Sequence, residues 1–167
     1  TPVDIVATPA ATLITGLAAS QFVGPAIQTA MTEIGALIMC AVDLQPFLMG
    51  ILVSVIMGIL LTLPVSSAAV AIALSLNGLA AGAATVGCCA QMVGFAVMSF
   101  RDNRWSGLLS QGLGTSMLQM PNIVKNPKVW LPPIIASAIL GPLATLVFQM
   151  QNIPSGAGMG TSGLVGQ

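Results

Sequence analysis

"RDNRWSGLLSQGLGTSMLQMPNIVKNPK", Arg101 to Lys128, decides how this chain folds. All four cations of the protein lie in it: Arg101 and Arg104 before a stretch of twenty residues, Lys125 and Lys128 after it. If residues 105–124 crossed a membrane, the two pairs would sit on opposite sides. The preference of Lys and Arg for the cytoplasmic side favours one location for all four. The stretch also carries Ser110, Gln111, Thr115, Ser116 and Gln119, which makes it too polar to face lipid. It reads as a re-entrant hairpin that enters from the cytoplasm, turns at "GLGTS", Gly112 to Ser116, and returns. Irregular backbone at membrane depth is stable only when buried in protein or lining an aqueous cavity, so the glycine tip should point into such a cavity.

The composition supplies the membrane. Only 5% of the 167 residues are charged and 56% are hydrophobic, against about 25% and about 45–50% in a soluble domain. The mean hydropathy is +0.98. The formal net charge is zero and no basic cluster is interleaved with aromatics, so the electrostatic footprint of a nucleic-acid binder is missing. Cys40, Cys88 and Cys89 lie inside apolar runs without C-x-x-C spacing and read as small buried hydrophobes. There is no histidine, which removes the commonest general base and metal ligand. The chain begins at Thr1, lacks a cationic leader and ends without a polar tail, as a piece of a longer protein would.

A bilayer core of about 30 Å takes about twenty apolar residues as a helix. Four runs approach that length: 5–23, 47–63, 79–100 and 129–148. The first, with Pro9 and several threonines, should be covered mostly by protein. The third carries Gly82, Ala83, Gly87 and Gly94, small enough for close helix approach, and should lie inside the bundle. Trp105 and Trp130 are placed like interface anchors. Between the first two runs, residues 25–42 repeat Ile27, Met31, Ile34 and Ile38 at helical spacing with Gln28, Thr32 and Glu33 turned away, the pattern of an amphipathic connecting helix. Glu33 is the only glutamate. It, Asp4 and Asp43 read as carboxylates facing headgroups or water.

The fourth run delivers Gln149 to the side opposite the cations, where "QMQNIPSGAGMGTSGLVGQ", residues 149–167, is again rich in glycine and polar. This tail should re-enter from outside as a second hairpin, with the tip "GMGTS", Gly158 to Ser162. Two hairpins entering from opposite faces with G-x-G-T-S tips are what an inverted-repeat transporter uses to build a site at mid-depth. The fold expected is an all-α integral membrane protein, a polytopic helical bundle with re-entrant hairpins, in one membrane domain. The candidate substrate site is Gly112, Gly114, Thr115, Ser116, Gln119 and Asn122 with Gly158, Gly160, Thr161 and Ser162, and Gln111 is a further lining residue. Glycines free backbone amides and the hydroxyls supply hydrogen bonds to a small solute. The same residue types are also ordinary helix-contact residues in membranes.

The stretches "TPAATLITGLAASQFVGPAIQTAM" and "LQPFLMGILVSVIMGILLTL" together resemble the membrane-domain pattern of the IIC components of the bacterial phosphoenolpyruvate-dependent sugar phosphotransferase system. "PNIVKNPKVWLPPIIASAI" is similar to the N-P-x-x-x-x-P stretch of that superfamily. "NPKVWLPP" followed by "GAGMGTSGLVGQ" resembles one branch of it. The resemblance implies a multi-pass permease of the bacterial cytoplasmic membrane that works as a homodimer with IIB and IIA phosphotransfer partners. It further implies that the C-terminal bundle and the two hairpins hold a small polar solute, a sugar in the sugar-handling relatives. Those relatives place a histidine where this chain has "PVSSAA" and a "GITE" glutamate where it has "GLGTS", so two polar anchors are replaced here.

No Ser/His/Asp set, carboxylate pair or metal cluster can be assembled from one Glu, three Asp and no His, and no cofactor is implied. In the relatives the phosphoryl donor is a phosphocysteine of the separate IIB protein, so a membrane component needs no nucleophile of its own. The function expected is translocation of a small polar solute. The alternative is a membrane sensor that keeps the inherited ligand site without transport.

Overall fold

The computed structural model describes residues 2–43 and 45–166, with side chains described from residue 11 on except at 27 and 31. The side chains of Asp4, Ile27 and Met31, and residue Gln167, lie outside the described residues. Among the described residues the elements are helical, without strands. Two units are distinct, Thr1–Leu37 and Ile38–Gln167.

The first unit lies in helix α1, Pro2–Val42. The sequence suggested a span at 5–23, a break at "GP" and a separate helix at 25–42, but one helix runs through both. A proline leaves the turn before it without one hydrogen bond, and neighbouring turns can absorb that loss. Taken by itself this unit is one apolar helix, with Leu13, Ile14, Leu17 and Phe22 exposed along it. Acyl chains are as apolar as leucine, so an exposed apolar helix is satisfied in lipid. Glu33, Gln28 and Thr32 are exposed while Ile34 is half-buried, in keeping with the amphipathic pattern. Cys40 is exposed and Cys89 half-buried, unlike the buried thiols expected, whereas Cys88 is buried.

The second unit is built on three helices. They are α2, Pro46–Thr62, α4, Gly78–Leu109, and α6, Leu131–Pro142; short α3, Ser67–Ala73, links the first two. Small residues let their backbones touch. A Cβ on Gly87 would overlap the carbonyl of Ser54, and one on Gly141 would overlap that of Gly50. Hydroxyls bridge the same layer: Ser54 Oγ donates to Ser137 O at 2.7 Å and Ser137 Oγ to Gly87 O at 3.3 Å. Gly87 meets Ser54 and Gln91 meets Gly58, so α2 runs alongside α4 in the same direction, whereas Gly50 with Gly141 and Ser54 with Ser137 make α6 run against both.

Among the described residues three helical stretches are long and apolar enough to cross a membrane: Ala11–Val42, Gly78–Gly114 and Pro127–Val147. The run at 47–63 forms α2, an apolar helix of 17 residues, about 25 Å long at 1.5 Å per residue.

After α4 the chain reverses. Arg104 takes φ 53° and ψ −140°, a conformation that costs about 1–3 kcal/mol for a residue with a side chain. Phe100 and Trp105 pack edge to face across the turn, centroids 5.6 Å apart. A π-helical turn, Ser110–Gly114, then runs back along α4, a 3-10 turn follows at Ser116–Gln119, and α5, Met120–Lys125, returns. After α6 a second π-helical turn, Leu143–Val147, leads to a second reversal at Gln149, with φ 44°. From there the chain climbs α4 through Met150 and Asn152 to α7, Pro154–Ala157.

The glycine contacts make a test. Gly87→Val should prevent the bundle from assembling, because overlap with the Ser54 backbone cannot be relieved by a rotamer and overpacking alone costs about 1–3 kcal/mol. Gly16→Ala, inside helix α1, should leave stability unchanged or slightly raised. Thermal unfolding of the purified protein in detergent reads both, and equal tolerance at the two positions would contradict the packing.

Candidate functional site

The two hairpin tips meet. Coming from the Arg104 end, Gly107 lies against Ser99 and Gly112 against Ala96. From the other end, Met150 lies against Gly82, Asn152 Nδ2 donates to Thr85 Oγ1 at 2.8 Å, and Gly160 lies against Cys88. Both arrive at Met92, close to the middle of the Gly78–Asn103 stretch of α4. Met92 lines a cavity with Gly114 of one tip and Gly158 and Ser162 of the other.

The repeated "GTS" holds the junction through different groups on its two sides. Thr161 Oγ1 donates to Gly112 O at 2.5 Å, and Ser162 Oγ donates to Gly114 O at 3.0 Å. The hydroxyls of the second tip thus close on the glycine carbonyls of the first. The first tip uses its own hydroxyls elsewhere. Thr115 Oγ1 accepts from Met117 N at 3.2 Å and caps the next turn, while Ser116 Oγ lies 3.5 Å from Thr62 Oγ1 of α2.

The glycines also differ. Gly158 presses on the backbone of Ser67 and Ala68, where a Cβ would come within 2.5 Å, and Gly160, at φ 56°, presses on Cys88. These two are close-approach glycines. Nothing lies within 4 Å of where a Cβ on Gly114 would be, so that glycine serves the turn and leaves space beside it.

The cavity between the tips measures about 190 Å³ and is lined by Leu61, Val65, Ser66, Ser67, Ala68, Met92, Gly114, Thr115, Met117, Gly158, Met159 and Ser162. None of these residues is charged. Ser67 Oγ donates to Gly158 O at 2.7 Å, and Ser66 Oγ accepts from Ala69 N at 3.3 Å to cap α3. Neither serine was singled out as a site residue by the sequence reading. The signal that could have found them is "PVSSAA", the stretch in which the resemblance already marked a replaced polar anchor.

Of the predicted site residues, Gly114, Thr115, Gly158 and Ser162 line the cavity, while Gly112, Ser116, Gly160 and Thr161 form its surrounding contacts. Gln119 and Asn122 are elsewhere. They line a second cleft, of about 420 Å³, with Ser99, Asp102, Asn103, Lys125 and Asn126 at the end of α4. Asn122 Nδ2 donates to Gln119 Oε1 at 2.8 Å, and Gln119 Nε2 donates to Gln111 Oε1 at 3.0 Å. This amide chain ties the returning arm of the first hairpin to its outgoing arm. Arg101, Arg104, Lys125 and Lys128 are exposed, and Lys125 shares the cleft with Asp102 and Asn103, which adjoin the two arginines in sequence.

A helical bundle of this hydropathy, with apolar helices long enough to span, defines an all-α membrane protein. Residues 1–167 match the family described as "Phosphotransferase system, EIIC". The chain belongs to that family, the membrane permease component of a sugar phosphotransferase system. No curated protein and no solved structure matches it.

The tip junction predicts how mutants behave. Thr161→Val removes a buried donor and leaves Gly112 O unpaired, so it should destabilise the protein by about 1–3 kcal/mol. Ser162→Ala, at a half-exposed bond, should cost less. Because the two bonds close the same pair of tips, the double mutant should depart from additivity by about 0.5 kcal/mol or more in unfolding measurements.

Proposed function

We propose that this chain is the solute-translocating part of a phosphotransferase permease, and that the cavity between the tips receives a small uncharged polar solute, such as a sugar. The observation that carries the reading is the meeting of two glycine-tipped hairpins, arriving from opposite ends of α4, at Met92. Two helix-plus-hairpin halves of opposite direction, α4 with residues 105–125 and α6 with residues 149–166, are the parts of an inverted repeat. Such repeats place the solute at mid-depth, where broken helices present backbone groups and hydroxyls. The absence of charge from the lining favours a neutral solute over an ion, since a charged one would lose its hydration without an opposite charge in return.

On this reading both hairpins are re-entrant, the four cations face the cytoplasm of a bacterial cell, and the protein is multi-pass in its plasma membrane. A IIB protein supplies the phosphoryl group from the cytoplasmic side, with IIA behind it, and the permease works as a homodimer. Gly112, Gly114, Thr115, Ser116, Gly158, Gly160, Thr161 and Ser162 build the site, with Gln119 and Asn122 at its cytoplasmic approach. Transport needs a state in which the tips part, and a sensor does not.

Two measurements test this. In a protein freed of its native cysteines, Asn103→Cys and Asn126→Cys should be labelled only from the cytoplasmic side, and Gln151→Cys and Ser155→Cys only from the other. Opposite sidedness within the first pair would remove the hairpin reading. A panel of tritiated hexoses and hexitols should include a compound that binds and enters vesicles carrying the protein. Binding without entry would make the protein a sensor.

A further inference from the structure

Gln91 lies on α4 directly before Met92, and its side chain is wholly buried. Among the described residues neither Nε2 nor Oε1 has a hydrogen-bond partner. A carboxamide offers two donors and two acceptors, and a buried polar group left unmade is costly enough that native structures rarely keep one without a reason. Its surroundings are small and apolar on the side of α2: Gln91 Cγ lies 2.8 Å from where a Cβ on Gly58 would be. One turn further along that face of α2 come Leu61, which lines the tip cavity, and Thr62, which meets Ser116 of the first tip. Met92, next to Gln91 on α4, and Leu61, one turn beyond Gly58 on α2, both line the cavity, so the amide is buried in the α2–α4 contact beside it.

Packing does not explain the residue. Leu or Met would fill the same space without the desolvation penalty, and the neighbouring α4 positions Cys88 and Phe95 are filled by side chains suited to burial. The placement beside the junction of the tips does explain it. We propose that Gln91 is a specificity-determining residue of this site, its carboxamide unpartnered while the tips are bonded to each other and taken up by hydroxyl groups of the solute when they part. The inference rests on the tip cavity being the solute site. A carboxamide donates and accepts at once, which suits a hydroxyl that does the same, and it carries no charge to attract an ion. The solute class it selects is neutral and rich in hydroxyls.

The experiment pairs two substitutions in the full chain. Gln91→Met keeps the length and removes the amide. It should raise the melting temperature by about 2–4 °C, as the loss of an unmet polar group does in a chain of this size, and weaken binding of the tritiated hexose or hexitol that the wild type binds by tenfold or more. A higher melting temperature with unchanged binding would overturn the proposal, because Gln91 would then be only an unfavourable core residue. A lower melting temperature in a folded variant would overturn it too, by showing a structural partner. Gln91→Cys, in the background without native cysteines, gives a readout independent of the solute and of how the first variant folds. A small methanethiosulfonate reagent should label it in the folded protein, and complete protection would show that the position never opens to water. If no compound of the panel binds the wild type but the cysteine is labelled, the choice of solute fails while the opening at Gln91 stands.

Discussion

Three helix backbones in direct contact are the constraint on which the rest of this protein depends. Helices in lipid are not driven together by the hydrophobic effect, because acyl chains are as good a surrounding for leucine as another helix is. What remains is close packing and the hydrogen bonds that close packing allows. Gly87 against Ser54 and Gly141 against Gly50 bring α4 and α6 onto α2, and at that distance Ser54 and Ser137 reach the neighbouring backbones. Larger residues at these positions would hold the helices apart and leave both serines without these bonds. The apolar side chains on the outside of the bundle, such as Ile135, Ile139 and Leu143, are exposed and free to face lipid.

A rigid α4 then acts as a common ruler for both hairpins. Each is attached to the unit by a reversal at a residue with positive φ, Arg104 or Gln149, and each runs along α4 until it meets the other at Met92. Away from water neither hairpin would be stable by itself, since its turns leave backbone groups in need of partners. Together they satisfy part of that need: the second tip gives hydroxyl donors and the first gives carbonyl acceptors. The doubled "GTS" is thus a donor on one side and an acceptor framework on the other, and similar sequence does not mean equal work.

The sequence made some of this legible and concealed the rest for identifiable reasons. The four cations bracket residues 105–124 closely in sequence, and in the structure all four are exposed, with Lys125 in the cleft of Asp102 and Asn103. The all-helical class followed from hydropathy. The single helix through Pro25 did not, because a proline marks a lost hydrogen bond without saying whether neighbouring turns will absorb it. The apolar run at 47–63 was legible almost to the residue, since Pro46 opens the helix and Pro64 follows its C-cap Leu63. Glycine has one letter for several duties: Gly158 and Gly160 are demanded by touching backbones, Gly114 by a turn beside open space, and only coordinates separate them. Gln91 was hidden for the opposite reason. One amide in a run of alanine, cysteine and methionine carries no spacing signal, and only coordinates show it buried without a partner among the described residues.

The unequal tips bear on how such a site could open. The second tip is wedged by Gly158 on α3 and Gly160 on α4, and Asn152 fixes its base through Thr85 and the carbonyl of Gly166. The first tip has open space at Gly114, and between its reversal at Arg104 and its return at Asn126 it is tied to the second mainly through the two hydroxyl bonds. At about 0.5–1.5 kcal/mol net for each neutral hydrogen bond, that junction contributes on the order of 1–3 kcal/mol. A minor state separated by a few kcal/mol is populated at about 0.1–10%, enough for a solute to find and stabilise it. A junction built from a buried ion pair would be held more firmly and would charge the cavity. Hydroxyls donating to carbonyls instead give an uncharged junction of two weak bonds, and on the proposed reading a neutral solute would have to replace no more than these.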